Sequence, residues 1–159
     1  MSHARSEYAA FRAQAPDIHE ALLALGKLAT KAGLDKELIE LIKIRASQIN
    51  GCAFCLQYHI VQAEAFGLST DKINLVAVWR EAPLFSTRER ATLAWTEALT
   101  VLAGGVGDEV YGEASAEFSE KELLYLTSAI AVINAWNRYG AAYRWPPQAR
   151  PKRNQAAAS

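Results

Sequence analysis

The chain is poor in cysteine: its 159 residues hold two. Charge of one sign is also lacking, because 17 Lys and Arg balance 17 Asp and Glu. A neutral chain has no electrostatic reason to seek nucleic acid or an anionic membrane. No apolar run approaches the roughly 18 residues of a membrane span. The opening Met1-Ser2-His3-Ala4-Arg5-Ser6-Glu7 leads into no apolar signal core, which argues against export. The expected address is therefore the cytoplasm, where thiols are kept reduced. No segment reads as a convincing strand.

What is present is helical. Apolar residues make up 51% and charged residues 21% of the sequence, an ordinary balance for one globular domain, here residues 1–145. Pro16-Asp17 precedes Ile18, Leu22, Leu23, Leu25 and Leu28 at helical spacing, with Gly33 as the stop. Leu34-Asp35 begins a second helix that ends at Asn50-Gly51, residues that tolerate the left-handed backbone. A third runs from near Cys52 to Phe66 and a fourth from about Thr70 to Glu81, before Pro83. Ser86-Thr87-Arg88-Glu89 and Ser119-Glu120-Lys121-Glu122 are capping boxes. The first opens a helix closed by Gly104-Gly105, the second the long apolar segment to about Tyr143. The charged residues of both boxes, with Arg90, read as solvated helix starts. Residues 146–159, with three prolines, basic residues and alanines, read as a flexible tail. A faint echo relates Glu37-Leu38…Ile49-Asn50 to Glu122-Leu123…Ile133-Asn134, hinting at two related helical halves.

The two cysteines sit together, in Cys52-Ala53-Phe54-Cys55-Leu56-Gln57-Tyr58-His59. In a reducing compartment a close pair is catalytic or metal-binding rather than a staple. At about 100° per residue, Cys52, Cys55 and His59 share one helix face. A helix start favours an anion, and the thiolate is the reactive form of cysteine. His59 could take or return a proton. If the second and third helices form a hairpin about Asn50-Gly51, Glu40 and His59 stand at similar heights, about 15 and 12 Å from the bend. Glu40 also interrupts the apolar run Leu38-Ile39-Glu40-Leu41-Ile42, and burial would raise its pKa toward that of a usable base.

Glu40, eleven intervening residues, Cys52-x-x-Cys55, three residues and His59 resemble the active-site pattern of alkyl hydroperoxidase D-like (AhpD-like) proteins of the carboxymuconolactone decarboxylase superfamily. Arg45-Ala46-Ser47-Gln48-Ile49-Asn50-Gly51-Cys52 and Ala131-Val132-Ile133-Asn134-Ala135-Trp136-Asn137-Arg138 resemble its peroxidase-related branch. The resemblance implies an all-α bundle of about six to eight helices, homo-oligomers built on trimers or hexamers, and thiol-based reduction of hydroperoxides. By this analogy Cys55 attacks the peroxide and becomes a sulfenic acid, and Cys52 resolves it as a disulfide. Glu40 and His59 relay the proton, and a dithiol donor restores the pair. No organic cofactor is implied. The best-known members carry another histidine between the cysteines, where this chain has Ala53-Phe54.

Two rival readings accompany this one. A dithiol–disulfide reductase or redox sensor would use the same pair on another protein's disulfide. A non-catalytic zinc protein could draw on Cys52, Cys55, His59 and Glu40, although the remaining histidines, His3 and His19, lie outside the cluster. Tyr58 reads as a packing residue, with lining of the pocket as the alternative, and Asn134, Trp136 and Asn137 read as helix-packing residues or buried hydrogen bonders.

Overall fold

The computed structural model describes residues 4–150. Among these there is no strand, and the helices are α1 (Tyr8–Gln14), α2 (Pro16–Gly26), α3 (Leu28–Lys31), α4 (Lys36–Ile49), α5 (Ala53–Ala65), α6 (Thr70–Leu75), α7 (Thr87–Thr100), α8 (Asp108–Glu117) and α9 (Glu120–Tyr143). Short 3₁₀ turns cover Val76–Val78 and Leu102–Gly104. No helix among the described residues is long and apolar enough to cross a membrane.

The bundle is organised around α4, which packs against α5, α7 and α9. A helix apolar on one stripe buries one face, and a helix apolar nearly all round belongs in the middle. Ile39, Ile42 and Ala46 face Ala129, Ile130 and Ile133 of α9 in one apolar cluster. Leu41 and Ile44 join Ala63, Val76 and Leu93 in a second. The unbroken run Leu38–Ile42 therefore serves two cores at once, and Glu40 is carried inside with it.

The helix ends follow local chemistry. Both expected capping boxes form, with Ser86 accepting from the Glu89 N–H and Ser119 from the Glu122 N–H. Gly51 turns the chain between α4 and α5 at φ +64°. The Asn50 and Asn134 of the sequence echo meet, with Asn50 Nδ2 donating to Asn134 Oδ1 at 2.9 Å.

Several boundaries differ from the sequence reading. The first helix divides at Lys27 into α2 and α3, and the fourth shortens to α6 plus a 3₁₀ turn. Helices α1 and α8 were not foreseen. Each buries one residue, Phe11 or Ala114, and neither has a side-chain cap at its start, so neither carries a periodic stripe or a start signal. The capping-box charges do more than face solvent: Arg88 donates to Glu122 Oε1 at 2.7 Å and to the Glu117 carbonyl. Arg90 donates to the carbonyls of Trp79, Arg80 and Ala82. Of the segment read as a flexible tail, residues 146–150 form no helix, and Arg150 pairs with Glu64 at 3.1 Å. Residues 151–159, like His3, lie outside the described residues.

Candidate functional site

The α4–α5 hairpin brings together what the spacing suggested. His59 Nδ1 lies 2.7 Å from Glu40 Oε2, and Lys43 Nζ donates to Glu40 Oε1 at 2.9 Å. Glu40 is 3% and His59 9% exposed. Burial pushes the Glu40 carboxyl up, but the bonds from His59 and Lys43 outweigh it and hold the pKa below the usual range. This corrects the expectation of a raised carboxylate: burial is present, but two donors overrule it. Burial pulls His59 down despite Glu40, so the ring rests neutral. A neutral ring beside an ionised carboxylate donates from Nδ1. Its Nε2 lone pair is then free to accept a proton.

Cys52 sits at the N-cap of α5, in extended backbone at φ −89° and ψ 93°. Cys55 lies in the first turn of α5, and its N–H donates to Cys52 Sγ at 3.3 Å. Both thiols are free and buried. The Cys55 thiol, donating to Cys52, brings Cys52 down to about 7, against the burial that raises it. That same donation, with burial and the charge on Cys52, pushes Cys55 well above the ordinary thiol range. Of the two thiols Cys52 is therefore the more acidic, and Cys55 the one that keeps its proton.

Helix α9 supplies the rest of the cradle. Asn137 is fully buried, donates from Nδ2 to Ser47 Oγ at 3.0 Å and accepts from Asn50 Nδ2 at 3.0 Å. The polar Asn137 amide beside the cysteines also lowers the pKa of each. A Cβ at Gly140 would collide with Cys52 Sγ and lie 3.3 Å from Cys55 Sγ. Only a glycine lets the thiols approach the α9 backbone this closely.

One sulfur opens outward. Cys55 and His59 line a cavity of about 140 Å³ whose wall includes Tyr8, Phe54, Tyr58 and Trp136; Cys52 is not on it. Lys43 and Gln148 reach the same cavity, the latter from the segment read as tail. Tyr58 therefore lines the pocket, the alternative to packing that the sequence offered, and Trp136 faces the same space beyond its packing role. Tyr8, Lys43, Gln148 and Gly140 were missed. Tyr8 and Gly140 are far from the cluster in sequence, and nothing local marks them. Lys43 sits three residues after Glu40, a helical pairing that could have been read. Among the described residues no three metal-ligating side chains are grouped to hold an ion, and Glu40 is committed to His59 and Lys43.

The model of the carboxymuconolactone decarboxylase family matches residues 16–98. The uncharacterized protein YdfG of Bacillus subtilis is 33% identical over 129 residues, 80% of this chain and 88% of that one. Among solved structures, a protein of unknown function from Agrobacterium tumefaciens, proposed to be an antioxidant defence protein AhpD, superposes with TM-score 0.84. It is 38% identical, over 88% of this chain and 97% of its own. An uncharacterized peroxidase-related protein with an alkylhydroperoxidase AhpD core, from Ralstonia eutropha JMP134, gives TM-score 0.76. It is 20% identical, over 87% of this chain and 75% of its own, which shows the all-helical fold alone.

Proposed function

The chain belongs to the carboxymuconolactone decarboxylase family and is AhpD-like in fold, and on that footing we propose that it is a thiol peroxidase using Cys52 and Cys55. The observation that carries this reading is the placement of Cys55 and His59 on one cavity, with His59 held by Glu40 at 2.7 Å.

The chemistry balances as follows. Cys55 holds the proton at rest, so His59 Nε2 must take it before Cys55 can attack, and Glu40 stabilises the imidazolium that forms. The Cys55 thiolate attacks the terminal oxygen of a hydroperoxide. An S–O bond forms, the O–O bond breaks, and the alkoxide leaves and takes one further proton, ultimately from solvent, to become the alcohol. Cys52 then attacks Cys55 Sγ as its thiolate. The disulfide forms and hydroxide leaves as water with the proton from His59. Two electrons have passed from the thiols to the peroxide, and an external dithiol restores them by exchange. A reducing cytoplasm fits this cycle.

The disulfide-reductase reading needs a macromolecular disulfide to reach these sulfurs, and with Cys52 3% and Cys55 4% exposed the geometry favours a small peroxide. The expected homo-oligomer stays part of the proposal. Ile18, Leu25 and Leu28 are exposed apolar residues on α2 and α3 and suit burial against a second copy, and light scattering giving a monomer at micromolar concentration would reject it.

The test of the enzyme reading is a thiol count before and after one equivalent of an organic hydroperoxide. Rapid loss of both thiols, reversed by a dithiol, is expected. In Cys52→Ser a dimedone-reactive sulfenate should persist at Cys55. Full peroxide turnover by Cys55→Ser would reject the assignment.

A further inference from the structure

Peroxide reduction creates two oxyanions, an alkoxide at the first step and hydroxide at the second. The Glu40–His59 pair carries one proton, taken from Cys55 and owed to the hydroxide. The alkoxide needs a second acid, and the cavity wall holds one that the cycle above does not use.

Tyr8 lines the cavity with Cys55 and His59. Its ring packs on Phe54, the neighbour of Cys55, at 5.1 Å between centroids. Its hydroxyl lies 3.0 Å from Nε2 of His19. His19 is 9% exposed, held edge-on against Trp136 at 5.6 Å and Phe11 at 6.0 Å. A buried imidazole bonded to the hydroxyl of a cavity-lining tyrosine is unneeded for packing alone, where an apolar ring would serve without the desolvation cost. Of the other polar groups on the wall, Lys43 is bonded to Glu40, and Tyr58 is 47% exposed.

We propose that Tyr8, oriented by His19, is a second catalytic acid that protonates the departing alkoxide. The inference rests on the peroxidase reading. The phenol gives its proton to R–O⁻, producing the alcohol and leaving a phenolate. His19 donating from Nε2 steadies that phenolate, and one proton is recovered from solvent per turnover. The transfer runs downhill, since a phenol ionises near 10 and an alkoxide is a far stronger base. Burial raises the Tyr8 pKa further, keeping the proton in place until a stronger base arrives.

The test is leaving-group dependence. Sulfenate formation is followed by stopped flow for the wild type, Tyr8→Phe and His19→Gln, with tert-butyl hydroperoxide and with peracetic acid. Acetate needs no proton to leave, whereas the alkoxide does. Tyr8→Phe should lose roughly 100-fold with the alkyl hydroperoxide, within the range of general-acid catalysis, and no more than a few-fold with the peracid. His19→Gln should fall between Tyr8→Phe and the wild type with the hydroperoxide. Equal losses of Tyr8→Phe with both oxidants, or no loss with either, would overturn the role of Tyr8 while leaving the peroxidase intact. A wild type that reduces neither would overturn the peroxidase reading and the inference with it.

Discussion

Glu40 and His59, on facing helices and nineteen residues apart, meet through a 2.7 Å hydrogen bond in which the carboxylate is ionised and the ring neutral. The pair is an acceptor of one proton, poised by burial. Replacing Glu40 with Gln keeps the shape but removes the charge that steadies the imidazolium. Sulfenate formation at Cys55 should fall about 100-fold, with little change in KM. Stopped-flow rates of Glu40→Gln and wild type at saturating peroxide check this, and an unchanged rate would mean that His59 is not the acceptor.

The thiol pair predicts its own pH profile. Iodoacetamide modification should show a midpoint near 7, the value for Cys52. The first cause of that value is the Cys55 thiol donor, so Cys55→Ala should move the midpoint up toward the ordinary ~8.5. Stability follows with a sign. A folded pKa below the unfolded one stabilises at high pH, and that contribution is lost as pH falls from about 9 through 7. Cys55 is raised and acts oppositely, favouring the fold below its unfolded pKa and losing that contribution as pH climbs toward the folded one. Urea titrations of wild type and Cys55→Ala between pH 6 and 10 would expose both slopes.

The cluster was legible in sequence because its members lie within one hairpin, where helical rise and a Gly51 turn fix who meets whom. The same logic found both capping boxes. It failed where partners come from afar. Tyr8 reaches the cavity, with His19 behind it, where Trp145 Nε1 donates to the Ser6 carbonyl at 3.0 Å and Arg5 to the Ala142 carbonyl at 2.7 Å, tying the segment before α1 to the end of α9. No local period encodes such a closure. Asn137 read as a buried hydrogen bonder, and that much held. That it stands beside the cysteines depends on how α9 lies across α4 and α5.

Two glycines should respond oppositely to alanine. At Gly140 the new Cβ would collide with Cys52 Sγ. Either α9 or the thiol must move, at a cost of about 1–3 kcal/mol, and the Cys52 alkylation midpoint should shift with it. At Gly112, inside α8, a Cβ meets open space, and alanine should stabilise by about 0.5–1 kcal/mol through helix propensity. Chemical denaturation of the two variants, with thiol alkylation of Gly140→Ala, separates a cysteine cradle from ordinary helix packing. Equal effects would mean that α9 has slack at the thiols.

Trp145 is the pin of the closure over the cavity. It is 4% exposed, and its ring lies 5.1 Å from Tyr8, 5.4 Å from Phe54 and 5.6 Å from Phe11. Large-to-small truncation of a buried Trp costs about 3–5 kcal/mol when the gap stays open. Here the gap lies beneath a seven-residue helix with one buried anchor, Phe11, so the loss should appear first as detachment of α1 rather than as global unfolding. Hydrogen exchange of Trp145→Ala should then show lost protection in α1 and retained protection in α4. Cys52 titration should stay near 7, because its donors are on α5 and α9. Peroxide reduction should nevertheless fall, since Tyr8 leaves the cavity with α1. A variant that keeps α1 protected, or that loses α4 protection together with α1, would show that Trp145 stabilises the bundle as a whole and does not hold the cavity closed.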